Sequence, residues 1–335
     1  MSAQTTNLQG PLLEVKNLRV LFRDAATGRM IRAVDDASLD IPRNTFVGLT
    51  GESGSGKTTF ALSLLGLGKG APGVVAGTVR FDGRLIYDAK ALSHVSALNR
   101  ARRIDRAVAP LRGHDLFMIF QEPRASLNPY WKIGPQLAEC LRPPIRLAGR
   151  TSQDPLDDKL KSLLADVWLP TSVLGMYPAE LSTGMCQRIM IAMALAMGVK
   201  LLIADEPLSR IDLRLRLKVV SVLEAIRASR TMAMLLSTHD LNLIKHLADT
   251  VVVMYKGRIV EIGPTAIVLG LAAAHKHEYT ARLLATYRWV ESAREKVSAD
   301  GAPKALDTAL QGRLRKQIPL GREMVEVEKG HWIRK

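Results

Sequence analysis

The sequence runs to 335 residues, 47% hydrophobic and 24% charged, which supplies a full core and more than one minimal domain. Lys and Arg outnumber Asp and Glu by 47 to 32, a net charge of +15 that suits an anionic partner. Two cysteines, Cys140 and Cys186, exclude a disulfide framework or cysteine-rich metal centre, and the longest apolar run, Ile189–Val199, is far short of the ~20 residues of a membrane span.

The basic residues thicken at Arg100–Arg106 and from Arg313 to Lys335, without the interleaved aromatics of a nucleic-acid stacking platform. An anionic membrane leaflet is favoured over nucleic acid as their partner, a plainly basic soluble surface is the third reading, and charge alone decides none of them. The opening segment MSAQTTNLQGP has neither a basic nor an apolar export region, so the expected location is the cytoplasmic side.

In chain order, LLEVKNLRVLF (Leu12–Phe22) has strand composition, and AATG (Ala25–Gly28) supplies a turn before a second strand. TFVGLT (Thr45–Thr50) is a short apolar strand that runs into a glycine-rich loop. A helical segment, Thr58–Leu67, follows, and Gly77–Ile86 reads as a hairpin turning at Asp82-Gly83. From about Glu122 to Pro178 the pattern changes to helical pieces with prolines. LLIADE (Leu201–Glu206) and MAMLLSTHD (Met232–Asp240) are unbroken apolar runs, as parallel strands covered on both faces require. Val251–Gly263 closes as a hairpin around Lys256-Gly257. Beyond about Pro264 periodicity weakens, and Asp300–Ala305 reads as a linker; no internal repeat is present, so a single unit and not a tandem pair is expected.

The chemistry begins at Gly51-Glu52-Ser53-Gly54-Ser55-Gly56-Lys57-Thr58, a complete G-x-x-x-x-G-K-[ST] pattern between a strand and a helix. Glycines let backbone N–H groups converge on phosphate oxygens, and the following helix turns its positive end to the same anion. Lys57 is expected on the β- and γ-phosphates and Thr58 on Mg²⁺. Asp205, an acid ending a buried apolar strand, has Mg²⁺ as its natural partner. Glu206, next along, is then free to polarise a water for in-line attack on the γ-phosphate.

These motifs, with Leu181-Ser182-Thr183-Gly184-Met185 before Cys186-Gln187-Arg188, resemble the ABC ATPase family, whose signature is usually LSGGQ. Phe120-Gln121-Glu122-Pro123 resembles that family's Q-loop, Ser209-Arg210-Ile211-Asp212 its D-loop, and Ser237-Thr238-His239-Asp240 its switch-histidine segment. The order of these motifs covers Leu12 to about Gly263. The resemblance implies an α/β fold: a P-loop, RecA-like core with an antiparallel β subdomain, a helical subdomain inserted at about 122–180, and a C-terminal extension. The expected division is 12–265 for the ATP-binding unit and 266–335 for the extension. It implies ATP and Mg²⁺ held by Gly51, Ser53, Gly54, Gly56, Lys57, Thr58 and Thr59, with Phe22 stacking on adenine and Gln121 sensing the metal and the attacking water. His239 would contact the γ-phosphate. Ser182 and Gly184 would reach the γ-phosphate of an opposing subunit, with Asp212 alongside, so that ATP joins two such domains.

Two departures stand out. Thr183 replaces a glycine, and a β-branched residue resists positive φ, so the loop is expected to sit less closely on phosphate. Ser209-Arg210-Ile211-Asp212 carries a bulky arginine where small residues are usual. Tolerated drift and a slowly hydrolysing composite site both remain open.

Met118–Pro123, Ala125–Pro129, Arg188–Leu195, His277-Glu278-Tyr279-Thr280 and Glu328–Trp332 resemble the peptide and nickel importer branch. The altered signature resembles the Sap-type peptide transport ATPases. This implies a second, distinct ATPase, two membrane permeases docking near 122–180, an extracytoplasmic binding protein, and peripheral attachment to the inner face of the cell membrane. Nickel or another small solute would leave the ATPase nearly unchanged. Soluble ABC proteins of translation or repair typically carry two ATPase units or a coiled-coil insertion, neither of which is present. A non-hydrolysing regulatory subunit conflicts with the intact Lys57, Glu206 and His239.

Overall fold

The computed structural model describes residues 10–68, 72–141, 156–209, 211, 213–270, 275–297 and 323–335. The chain opens with β1 (Leu13–Arg23) and β2 (Met30–Ile41), then β3 (Phe46–Thr50) and helix α1 (Lys57–Leu64). β4 (Pro72–Phe81) and β5 (Arg84–Asp88) form the hairpin expected at Asp82-Gly83, with Asp82 at φ 52 and Gly83 at φ 75. These strands build an antiparallel sheet in the order β2-β1-β4-β5. Leu13 and Val15, then Leu18 and Val20 after an irregularity in the strand, are buried.

Helix α2 (Ala97–Val108) was not foreseen, and the basic run Arg100–Arg106 lies within it. Its signal was present: Arg100, Ile104 and Val108 recur every four residues and are buried, and Ser96 Oγ caps Asn99 N–H. The buried Arg100 guanidinium is satisfied by the carbonyls of Val74 (2.8 Å) and Pro72 (3.0 Å).

β6 (Leu116–Ile119) leads to the helical region, which contains α3 (Ile133–Leu141), α4 (Leu156–Asp166) and α5 (Thr183–Met197). α5 is buried on nearly all sides, which explains its unpatterned apolar sequence. Ser182 Oγ caps it at Met185 N–H (3.2 Å), and Gly198 at φ 62 ends it in a left-handed turn.

β7 (Leu201–Asp205) is followed by α6 (Leu213–Ser229), β8 (Ala233–Ser237) and α7 (Leu241–Leu247). β9 (Thr250–Tyr255) and β10 (Arg258–Pro264) are the closing hairpin. Every residue of β3, β7 and β8 is buried, and the three pair in parallel with β6 and β9, as their unbroken apolar sequences require.

Among the described residues the C-terminal part holds more regular elements than its sequence suggests. It holds α8 (Thr265–Val268), the long α9 (Glu278–Val297), and a hairpin of β11 (Met324–Glu328) and β12 (His331–Arg334). β12 pairs with β10, which extends the large sheet to the order β11-β12-β10-β9-β3-β8-β7-β6. The linker expected at Asp300–Ala305 and the basic residues from Arg313 to Arg322 lie outside the described residues. Among the described residues no helix is long and apolar enough to cross a membrane.

Candidate nucleotide site

Three elements converge at the C-terminal ends of the central strands, where open α/β sheets place their ligands. β3 delivers the glycine-rich loop, β7 delivers Asp205 and Glu206, and β8 delivers Ser237, Thr238 and His239. The register fixes this meeting: Leu49 lies opposite Ser237, and Asp205 lies opposite Ser237 from the other side.

The loop is shaped by contacts that only glycine permits. Gly51 sits at φ 147, where an added Cβ would collide with the Met254 carbonyl oxygen. Gly56 sits at φ 104 beneath the Ala33 carbonyl. Gly54 is exposed, with nothing near its Cβ position. Ser53 is exposed beside it, and Thr58 and Thr59 begin α1 with Thr58 exposed. Ser55 Oγ is buried and lacks a hydrogen-bond partner, an orphaned donor inside a loop of backbone amides.

Lys57 is 8% exposed. Its Nζ donates to the carbonyls of Gly51 (2.8 Å) and Glu52 (3.1 Å). Burial pulls its ammonium below the usual lysine range, and the charges of Glu206, Asp205 and Glu52 oppose that pull. The cation is therefore held among carboxylates in a dry loop, where a phosphate gains most from it.

Asp205 is buried, and its Oδ1 accepts a hydrogen bond from Ser237 Oγ (2.8 Å). Glu206 stands just past the strand at φ 50, an uncommon conformation for a non-glycine residue. Its N–H donates to the Ser237 carbonyl (2.8 Å), which turns its side chain out of the sheet toward His239. Glu206 Oε1 lies 2.8 Å from His239 Nδ1 and accepts from His239 N–H at 3.2 Å; Oε2 accepts from Thr238 Oγ1 at 3.2 Å. The hydrogen bond to Glu206 raises the exposed His239 imidazole above its ordinary value. The supporting hydroxyls of Ser237 and Thr238 were not assigned roles from sequence. Their signal was two hydroxyl residues directly after an apolar strand.

Phe22 is half-buried on β1 and pairs with Ile31, two residues before Ala33, whose carbonyl lies over Gly56 of the loop. Gln121 follows β6, whose Ile119 pairs with Ala204, so it emerges at the same sheet end as Asp205. It lines an open cleft with Glu122, Pro123, Arg124, Leu127 and Thr183. Ser182 and Gly184 start α5, where Gly184 packs against Leu215 and Ile211 of the α6 segment. Asp212 and Arg210 lie outside the described residues. Thr183 is the first residue of α5 and does not have positive φ, so the expected β-branched strain at this position is absent. The departure from glycine at this position costs the backbone nothing.

A glycine-wrapped buried lysine beside two acids and a histidine at the strand ends defines a P-loop ATPase. An ABC transporter family model matches residues 34–209, and the chain belongs to that family. It is 37% identical over 277 residues to a protein of Brucella ovis named as a peptide import ATP-binding protein, covering 82% of this chain and 77% of the relative. A similarly named protein of Brucella abortus is 39% identical over 256 residues, covering 76% and 71%. A dimeric ATP-binding cassette solved in a post-hydrolysis state with ADP and phosphate shares the fold at TM-score 0.61 and 21% identity, covering 76% of this chain and 98% of that one. CbiO1 of Clostridium perfringens, part of an ABC transporter complex, aligns at TM-score 0.58 and 20% identity, covering 79% and 93%.

Proposed function

We propose that this ABC ATPase powers peptide uptake from the cytoplasmic face of the cell membrane. In this reading it works beside a second ATPase, two permeases and an extracytoplasmic binding protein. The observation that carries the catalytic part is the Glu206 carboxylate, fixed by His239 and Thr238 beside the buried Lys57. The names of the relatives at 37–39% identity support the peptide cargo.

The roles follow from position. The loop amides and Lys57 bind the triphosphate, and the orphaned Ser55 hydroxyl is a ready donor to it. Phe22 covers the adenine. Glu206 takes a proton from water as the water oxygen attacks the γ-phosphorus; the bond to the β-phosphate oxygen breaks, leaving ADP and phosphate. His239, drawn toward its protonated form by Glu206, donates to the γ-phosphate oxygens as charge moves there.

Mg²⁺ fits the donors present. The exposed Thr58 hydroxyl and one carboxylate, Asp205, suit an ion that takes its remaining ligands from phosphate and water. It would neutralise charge on the β- and γ-phosphates. Gln121, at the mouth of the cleft, would sense that metal. Ser182, Gly184 and Asp212 are assigned to the nucleotide of the opposing ATPase, since an N-capped helix start presents free amides to an anion.

The cleft lined by Gln121, Pro123, Leu127 and Thr183, beside the helical region, is a suitable seat for a permease helix. The test is ATP hydrolysis by the complex reconstituted with its permeases and binding protein, with peptides or nickel supplied in turn. Stimulation by peptides supports the reading, and stimulation by nickel alone transfers it to the metal-importing alternative. Equal hydrolysis by the isolated chain contradicts coupling.

A further inference from the structure

Tyr279 lies in the C-terminal segment, on the first turn of α9, yet its hydroxyl reaches the nucleotide loop 227 residues earlier. The Glu52 N–H donates to Tyr279 Oη at 2.9 Å. That N–H shares a single planar peptide group with the Gly51 carbonyl, which accepts from Lys57 Nζ at 2.8 Å. One peptide is therefore gripped at both ends, by the lysine on the phosphate side and by the tyrosine behind.

The tyrosine is itself firmly held. It is fully buried, and its ring stacks on Tyr255 with centroids 4.3 Å apart and planes at 24°. Tyr255 directly follows Met254, whose carbonyl closes on Gly51. The Tyr279 N–H donates to His277 Nδ1 (3.1 Å), the His277 N–H donates to Glu261 Oε2 (3.0 Å), and Glu261 Oε1 meets His331 Nε2 at 2.8 Å. Glu261 and His331 are completely buried. A hydrogen-bonded chain thus runs from the terminal strand β12 through β10 and α9 to the loop.

We propose that Tyr279 is a positioning residue for ATP binding: its hydroxyl fixes the Gly51–Glu52 peptide and thereby the placement of Lys57, so that the C-terminal segment completes the nucleotide site. Burial pushes the phenol up, so the hydroxyl stays neutral and available as an acceptor. The proposal rests on the reading of Lys57 as the phosphate ligand.

The decisive variant is Tyr279→Phe in the full chain, which keeps the ring stack and removes the acceptor. One neutral hydrogen bond lost from a part-buried donor corresponds to a roughly threefold to tenfold weaker Kd for ATP, measured by calorimetry in EDTA to prevent turnover. His277→Ala, which frees the Tyr279 backbone, weakens binding in the same direction but less. Lys57→Ala abolishes binding if the site reading holds. Intact ATP binding in Lys57→Ala overturns that reading. Loss in Lys57→Ala with a Tyr279→Phe Kd within twofold of the parent, even if its unfolding midpoint falls, overturns the role of Tyr279. A purely structural tyrosine lowers the midpoint alone.

Discussion

Replacing Glu206 with glutamine separates chemistry from binding. The carboxylate accepts from His239 N–H and Thr238 Oγ1 and meets His239 Nδ1, all within 3.2 Å. A glutamine amide oxygen can occupy the Oε1 position and keep the His239 contacts. Its NH₂ then faces the Thr238 hydroxyl, which can rotate to accept. The ground-state arrangement therefore survives at a cost of about 1 kcal/mol, and KM for ATP should stay within about threefold. The proton acceptor for water is gone. General-base catalysis contributes about 10²–10⁴ in rate, so kcat should fall by that factor, a barrier rise of about 3–5 kcal/mol. The assay is steady-state phosphate release by the assembled complex with calorimetric ATP binding alongside. A kcat within tenfold of the parent, with binding intact, refutes Glu206 as the base. The same variant should return the His239 imidazole toward its ordinary value, because the charged carboxylate that accepts its hydrogen bond becomes a neutral amide; proton NMR of the imidazole reads this directly.

Gly51→Ala forces a side chain into a φ of 147 against the Met254 carbonyl, and should cost about 1–3 kcal/mol of stability in urea unfolding and weaken ATP binding. Asp35 is buried, and its carboxylate takes hydrogen bonds from Arg19 on β1 (2.9 Å) and Arg258 on β10 (2.7 Å), tying the small sheet to the large one. Burial would raise the Asp35 carboxyl, but Arg258 above all, with Arg19 and Arg32, holds it below the usual range. Asp35→Ala should cost about 3 kcal/mol, the low end for a broken buried pair because Arg19 is 46% exposed. Burial pushes the His277 imidazole below its ordinary value of about 6.5, so it folds neutral. The unfolded chain then binds the extra proton first: stability is undiminished above pH 6.5 and is lost as pH falls through the depressed folded value. Thermal unfolding across that range should show a loss that His277→Gln removes.

Local signals made much of the core legible. The loop from Gly51 to Thr58, the apolar strands ending at Asp205 and Ser237, and the turns at Asp82-Gly83 and Lys256-Gly257 each carry their structure in a few adjacent residues. What escaped depends on distant partners. β6 is four residues long and becomes a strand through pairing with β7. The β11–β12 hairpin reads as polar sequence, and His331 is buried because Glu261, 70 residues earlier, awaits it. Tyr279 looked like part of an extension motif, and nothing near it in sequence points to Glu52. Thr183 lacks the positive φ expected of it for the opposite reason, because the composition suggested a turn where the chain had already begun a helix.

The most direct test of the site is the structure of the Glu206→Gln chain with ATP and Mg²⁺. The expected result has the triphosphate wrapped by residues 51–58, Lys57 and His239 on the γ-phosphate, and the metal between Thr58 and Asp205. A nucleotide bound away from that loop, or a metal without Thr58 and Asp205, would contradict it.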